Sequence, residues 1–120
     1  LRRNDIKDPI TIIAEEHYLP YRRPPLSKEY LAGEVSLERV YMKTQDFFDQ
    51  NNVVIKHSKA LSLDRESKSI NLSNGDTIKY INLVIATGSR VRELDVEGSH
   101  LKNINYLRTI DGSNDLKEYF

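Results

Sequence analysis

Pro20-Tyr21-Arg22-Arg23-Pro24-Pro25-Leu26-Ser27-Lys28 is the stretch from which the rest of the chain is read. Proline fixes its own φ and pushes the residue before it out of the α region. Arg23 and Pro24 are therefore expected to be extended. Proline is tolerated at a helix start, so residues 26–31 are expected to open a short helix that Gly33 stops. The product is a stiff elbow that aims the Arg23 guanidinium at one place and the Lys28 ammonium one turn later. Guanidinium grips phosphate oxygens bidentately and ammonium acts as a point charge, which suits a phosphate-bearing ligand. Taken alone, the same residues also suit a solvated loop.

The chain around the elbow is 120 residues long and 38% apolar, which suits one globular domain or part of one. Lys+Arg and Asp+Glu are 18 each, so charge balance gives no support to nucleic-acid binding. No apolar run approaches the ~18–20 residues of a membrane span, and no signal peptide is visible. No membrane partner is expected. The first residue is not Met, which suggests a fragment or a processed product. Cysteine is absent, which excludes disulfides, thiolate metal sites and cysteine nucleophiles from this segment and fits a reducing, cytoplasmic setting.

Upstream of the elbow, residues 1–4 read as the last turn of a helix and residues 6–9 as a connector. Ile10-Thr11-Ile12-Ile13-Ala14 is short, β-branched and nearly all apolar, the pattern of a strand buried on both faces of a parallel sheet. Downstream, residues 37–42 are ambiguous. Residues 43–51 read as a helix with Thr44 at its N-cap and both Phe47 and Phe48 turned inward. Asn51-Asn52 turns the chain into a second parallel strand, residues 53–56. A third strand is expected over 59–64. Two alternating runs, 69–72 and 77–80, flank Asn74-Gly75, a hairpin signal because a type I′ turn needs φ > 0 twice. The expectation is an antiparallel meander lying on a parallel sheet. His57 and His100 are read as surface residues, His57 with no second histidine nearby. Residues 83–85 look like another short buried strand, ending in the small residues Ala86-Thr87-Gly88, where a ligand can come against the backbone. Residues 111–120 look helical.

Glu15-Glu16 directly follows the first strand. An acid at that place in a dinucleotide-binding fold accepts hydrogen bonds from ribose hydroxyls, because vicinal hydroxyls donate and a carboxylate accepts twice. A pair of solvated acids capping a strand is the plainer alternative, just as an ordinary strand exit is for residues 86–88.

Pro-Tyr-x-Arg-Pro-Pro-Leu-Ser-Lys resembles the signature of FAD-dependent ferredoxin and rubredoxin reductases, the apoptosis-inducing-factor-like group of the pyridine nucleotide-disulfide oxidoreductases. Glu15 lies eight residues before Arg23, as the family's ribose-binding acid does. Ala-Thr-Gly-x-x-x-Arg, ending at Arg92, follows about sixty residues later in the expected order. The resemblance implies an α/β, three-layer FAD/NAD(P)-binding (Rossmann-like) domain with a parallel sheet plus an antiparallel β-meander, incomplete in this chain. Residues 1–100 are then part of the FAD-binding domain and residues 101–120 the connection into an NAD(P)-binding domain. The implied cofactor-binding residues are Glu15, Glu16 (by its backbone or as a stand-in), Arg23, Pro24, Lys28, Ala60 (whose backbone reads the adenine edge), Ala86, Thr87, Gly88 and Arg92. The implied catalytic residue is Lys28, a cation beside the flavin ring that stabilises its anionic reduced form; a snorkelling helix lysine is the alternative.

The implied activity is transfer of electrons from NAD(P)H through FAD to a ferredoxin- or rubredoxin-type iron–sulfur protein. Alternatives are the reductase component of a dioxygenase system, another flavin-only NAD(P)H oxidoreductase, and a cofactor-free binding module. The family's Gly-x-Gly-x-x-Gly turn is missing, since Gly33, Gly75, Gly88, Gly98 and Gly112 are too scattered to form it. The chain alone is therefore expected to be inactive, with open sheet edges. With no sulfur across residues 23–31, a thiol relay in this segment is excluded and flavin-only transfer remains.

Overall fold

The computed structural model describes residues 2–5 and 7–119. Leu1, Ile6 and Phe120, which close or open three of the expected segments, lie outside the described residues. Two compact units emerge, one from Leu1–Leu19 with Lys43–Ala86 and one from Pro20–Met42 with Thr87–Phe120.

In the first unit, β1 (Ile10–Ala14) and β2 (Val53–His57) pair in parallel, with Ile10 opposite Val53 and Ala14 opposite His57. The β-branched run forms the strand that its composition dictates. It is not buried on both faces, however: Thr11 is exposed and its neighbours are half-buried. Two strands pair at only one edge each, and the described residues add no third strand to this sheet. The Arg2 guanidinium, on a short 3-10 turn (Arg2–Asn4), donates to the carbonyls of Asn51 and Asn52 at 2.7 and 3.1 Å and so clamps the turn into β2. Asn52 sits at φ 49°, as that turn requires.

A third strand (Ala60–Asp64), a fourth (Ser69–Leu72) and a fifth (Thr77–Lys79), here β3, β4 and β5, form a separate antiparallel meander. Its apolar weight lies on β4, where Ile70 and Leu72 are buried. The β4–β5 connection departs from the expected type I′ turn. Only Gly75 takes positive φ, at 90°, while the Asn74 side-chain oxygen accepts from the Asp76 N–H at 3.1 Å. That side-chain bond holds a four-residue loop, 73–76, instead of a two-residue one. Residues 83–85 form no strand, and Val84 is 84% exposed. Apolar, β-branched composition supplies propensity only, and among the described residues no strand pairs with this segment.

In the second unit, the backbone around the elbow is closed on itself. Arg22 N–H donates to the Val40 carbonyl at 3.0 Å and Met42 N–H to the Pro20 carbonyl at 2.8 Å. Residues 37–42, ambiguous in sequence, give a short helix α1 (Leu37–Val40). A longer helix (Ile110–Lys117) is α3, and α2 (Gln45–Gln50) belongs to the first unit. Thr44 occupies the α2 N-cap position with no side-chain cap bond. Thr109 does cap α3, its Oγ1 accepting from the Gly112 N–H at 3.1 Å. The core of this unit is Leu26, Tyr30, Val40 and Ile110, with Ser113 fully buried among them.

Phe48 is buried, but Phe47 is 39% exposed and carries the Lys43 ammonium 4.9 Å over its ring. Adjacent residues on a helix point about 100° apart, so one narrow apolar stripe cannot take both. The elbow itself is a 3-10 turn (Pro24–Ser27), not the start of an α-helix, and Arg23 lies in the α region at φ −77°, ψ −32°. The steric bias before proline is overridden because the Arg23 carbonyl accepts from the Leu26 N–H at 3.0 Å and the side chain is anchored at two further points. At Lys28 the chain leaves helical geometry altogether (φ −134°, ψ −117°), and turns carry it to Gly33 at φ 74°.

Candidate functional site

The candidate residues fall on both units. In the first, β1 delivers Glu15 and Glu16 at the carboxyl end of a parallel strand, where open α/β sheets place their ligands. The Lys59 ammonium stands 2.9 Å from Glu15 Oε1. The His57 Nδ1–H donates to the Glu16 carbonyl at 2.8 Å, and the His17 ring lies 5.9 Å from that of His57. His57 is exposed, as expected, but it does have a second histidine beside it, brought there by the parallel register of β1 and β2. Ala60 opens β3 and is exposed, as is Ala86.

In the second unit, the Arg23 guanidinium donates to the Tyr21 hydroxyl at 3.0 Å and to the Arg108 carbonyl, and it lies 5.1 Å above the Tyr21 ring. The Arg108 guanidinium in turn donates to the Ser89 carbonyl at 3.0 Å and passes over Gly88: a Cβ added there would come 3.2 Å from Arg108 Nη2. Gly88 sits at φ 69°, a conformation that glycine takes at little cost. The Arg-Pro-Pro elbow and the Thr87-Gly88 segment, about sixty residues apart in sequence, thus meet through Arg108. Arg23, Leu26, Ser27, Leu107 and Arg108 line a cleft of about 130 Å³ beside them. Pro24 forms the first residue of the 3-10 turn that orients Arg23. Lys28 is exposed in an open depression with Glu29 and Leu31. Arg92 is exposed on the irregular segment that follows.

Sequence reasoning missed Arg108 and Lys59. Arg108 lies in Tyr106-Leu107-Arg108-Thr109, read only as a connection; its one local signal is a cation immediately before the α3 N-cap. Lys59 gives no signal at all, because an isolated lysine before a strand is ordinary.

The donor set of each unit has its own chemistry. The first unit presents a carboxylate acceptor beside an exposed backbone edge, suited to ribose hydroxyls and a base. The second presents the guanidinium-bearing residues Arg23 and Arg108 along one cleft, suited to an anion. Among the described residues no group of three or more His, Cys, Asp or Glu is arranged to hold a metal ion, and no helix is long and apolar enough to cross a membrane.

The family model for pyridine nucleotide-disulphide oxidoreductases matches residues 1–119. The chain belongs to that family. A probable ferredoxin reductase from Castellaniella defragrans is 37% identical over 118 residues, covering 98% of this chain and 29% of the relative. A rubredoxin–NAD(+) reductase from Pseudomonas putida is 33% identical, covering 98% of this chain and 31% of the relative. The crystal structure of a ferredoxin reductase from Rhodopseudomonas palustris superimposes with a TM-score of 0.91 at 37% identity, covering 98% of this chain and 29% of that one. The chain therefore spans roughly three-tenths of the length of these relatives. The parallel pair, the meander and the helices are the matching portion of the family's α/β FAD/NAD(P)-binding fold.

Proposed function

We propose that this chain is part of an FAD-dependent NAD(P)H oxidoreductase that passes electrons to a ferredoxin- or rubredoxin-type iron–sulfur protein in the cytoplasm. The observation that carries the reading is the junction at Arg108, whose carbonyl accepts from the Arg23 guanidinium and whose own guanidinium passes over Gly88, beside a cleft that both arginines line. Membership of the family and the names of its similar reductases support it. On this reading residues 1–100 contribute to the FAD-binding domain and residues 101–120 lead into the NAD(P)-binding domain.

When bound, FAD supplies the exchange between two-electron hydride chemistry and one-electron transfer. The chain's own residues hold and tune it. Glu15 accepts from the adenosine ribose, with Glu16 held beside it through the His57 bond. The Ala60 backbone borders the base. Arg23, oriented by Pro24 and the Tyr21 ring, and Arg108 face the phosphates, while Ala86, Thr87 and Gly88 let the chain approach closely and Arg92 adds a further cation. Lys28 lends positive charge to the reducible end of the cofactor, where it favours the anionic form.

The full-length protein tests this. Expected are a flavin absorbance band near ~450 nm and bleaching of that band by NAD(P)H. Arg23→Ala should lose flavin on gel filtration, and Lys28→Ala should slow stopped-flow reduction or shift the potential. Purified protein that carries no flavin and takes none up overturns the enzyme reading in favour of a binding module.

A further inference from the structure

The corner between β2 and β3, Ser58-Lys59, is tied down on several sides. Ser58 is buried, and its N–H donates at 2.8 Å to the carbonyl of Ala14, the residue just before Glu15. The Lys59 N–H donates to Ser73 Oγ at 3.2 Å, and the Lys59 carbonyl accepts from the Ser73 N–H at 2.9 Å. Ser58 Oγ and Ser73 Oγ lie 3.0 Å apart. The Lys59 backbone is thereby fixed relative to the end of β1, and from that base its ammonium meets Glu15 Oε1 at 2.9 Å.

The lysine and glutamate side chains are 43% and 61% exposed. An ion pair this wet adds little to folding, so stability is a poor account of so well-anchored a partner. The consequence for Glu15 is larger. An ammonium 2.9 Å from the carboxylate narrows its rotamers. It only donates, so it does not compete as an acceptor for hydroxyl protons, and a carboxylate has about four lone-pair sites to share. An acceptor ordered in advance gives up less freedom when a ligand arrives.

We infer that Lys59 is a positioning residue for the adenosine subsite: it presets Glu15 for a pair of vicinal ribose hydroxyls and so strengthens binding of the adenine half of a dinucleotide. This rests on the reading of Glu15 as the ribose acceptor.

The test uses the full-length protein stripped of flavin and titrated calorimetrically with FAD, with ADP and with FMN, which has no adenosine. Lys59→Ala and Lys59→Met, the latter keeping the apolar stem, should raise Kd for FAD and ADP about 2- to 5-fold. Kd for FMN should not move, which also reports an intact fold. Lys59→Arg should restore most of the affinity, and the loss should shrink at high salt. Unchanged FAD and ADP binding in the Lys59 variants, with Glu15→Gln weakening both, refutes the role of Lys59 and leaves the ribose reading standing. Equal weakening of FMN also refutes it, in favour of a general structural role. If Glu15→Gln moves nothing, the ribose reading falls and this inference falls with it.

Discussion

Ser113→Ala is the sharpest probe of how the elbow is held. Ser113 is fully buried on α3, and its hydroxyl donates to the Leu26 carbonyl at 2.8 Å, across 87 positions of sequence. Leu26 is itself 2% exposed, so water cannot readily replace the lost donor. Removing one partner of a buried bond costs about 1–3 kcal/mol, because the group left behind stays desolvated. At 1.4 kcal/mol per tenfold, local opening becomes about 5- to 140-fold more frequent. The reporters are the amides that the elbow protects: Leu26 N–H on the Arg23 carbonyl, Lys28 and Tyr30 N–H on the Pro25 carbonyl, and Ala32 N–H on the Lys28 carbonyl. Hydrogen–deuterium exchange in the full-length protein should show these amides exchanging faster by that factor, with β1 and β2 unchanged. Flavin retention should fall with them, since the same elbow orients Arg23. Unchanged exchange at all four amides would refute the claim that α3 anchors the elbow.

Two further perturbations separate packing from charge. Phe48→Ala should lower stability by about 3–5 kcal/mol and Phe47→Ala by no more than about 1, because only Phe48 is buried, though the rings meet edge-on at 5.6 Å; thermal melts that rank them the other way would contradict the burial pattern. Asp64 is held below its ordinary value of 3.8 by the Ser67 N–H and hydroxyl and then the Glu66 N–H, and Asp76 by the Asn74 amide and then Lys56. A depressed carboxylate stabilises the fold above that ordinary value, and the contribution is lost as pH falls through the lower folded one. Stability should therefore drop on acidification below about pH 4, and Asp64→Asn should flatten that acid limb; parallel limbs in pH-dependent urea unfolding would overturn the assignment.

Local chemistry made much of this protein legible. The β-branched run at residues 10–14 can hardly be anything but a strand, and the two alternating runs around Asn74-Gly75 give a hairpin whatever the turn type. The Pro-rich string and Ala-Thr-Gly-x-x-x-Arg marked the family because they are long, ordered and chemically unusual. At Arg23 a distant partner helped to decide the outcome. Arg23 leaves the extended region because its guanidinium reaches the Arg108 carbonyl and the Tyr21 hydroxyl. Residues 83–85 have the composition of a strand, yet no described strand pairs with them.

Composition and periodicity determined by themselves the α/β class, the order of strands β1 to β5 and the lack of thiol chemistry in this segment, and two motifs marked the oxidoreductase family by resemblance. Only the tertiary structure decided that Arg108 joins Arg23 to Gly88 and that Lys59 faces Glu15. The reason is physical. Propensity and pattern act over a few residues, whereas a side chain's partner is fixed by which distant backbone segments the fold brings within hydrogen-bond reach, about 3 Å.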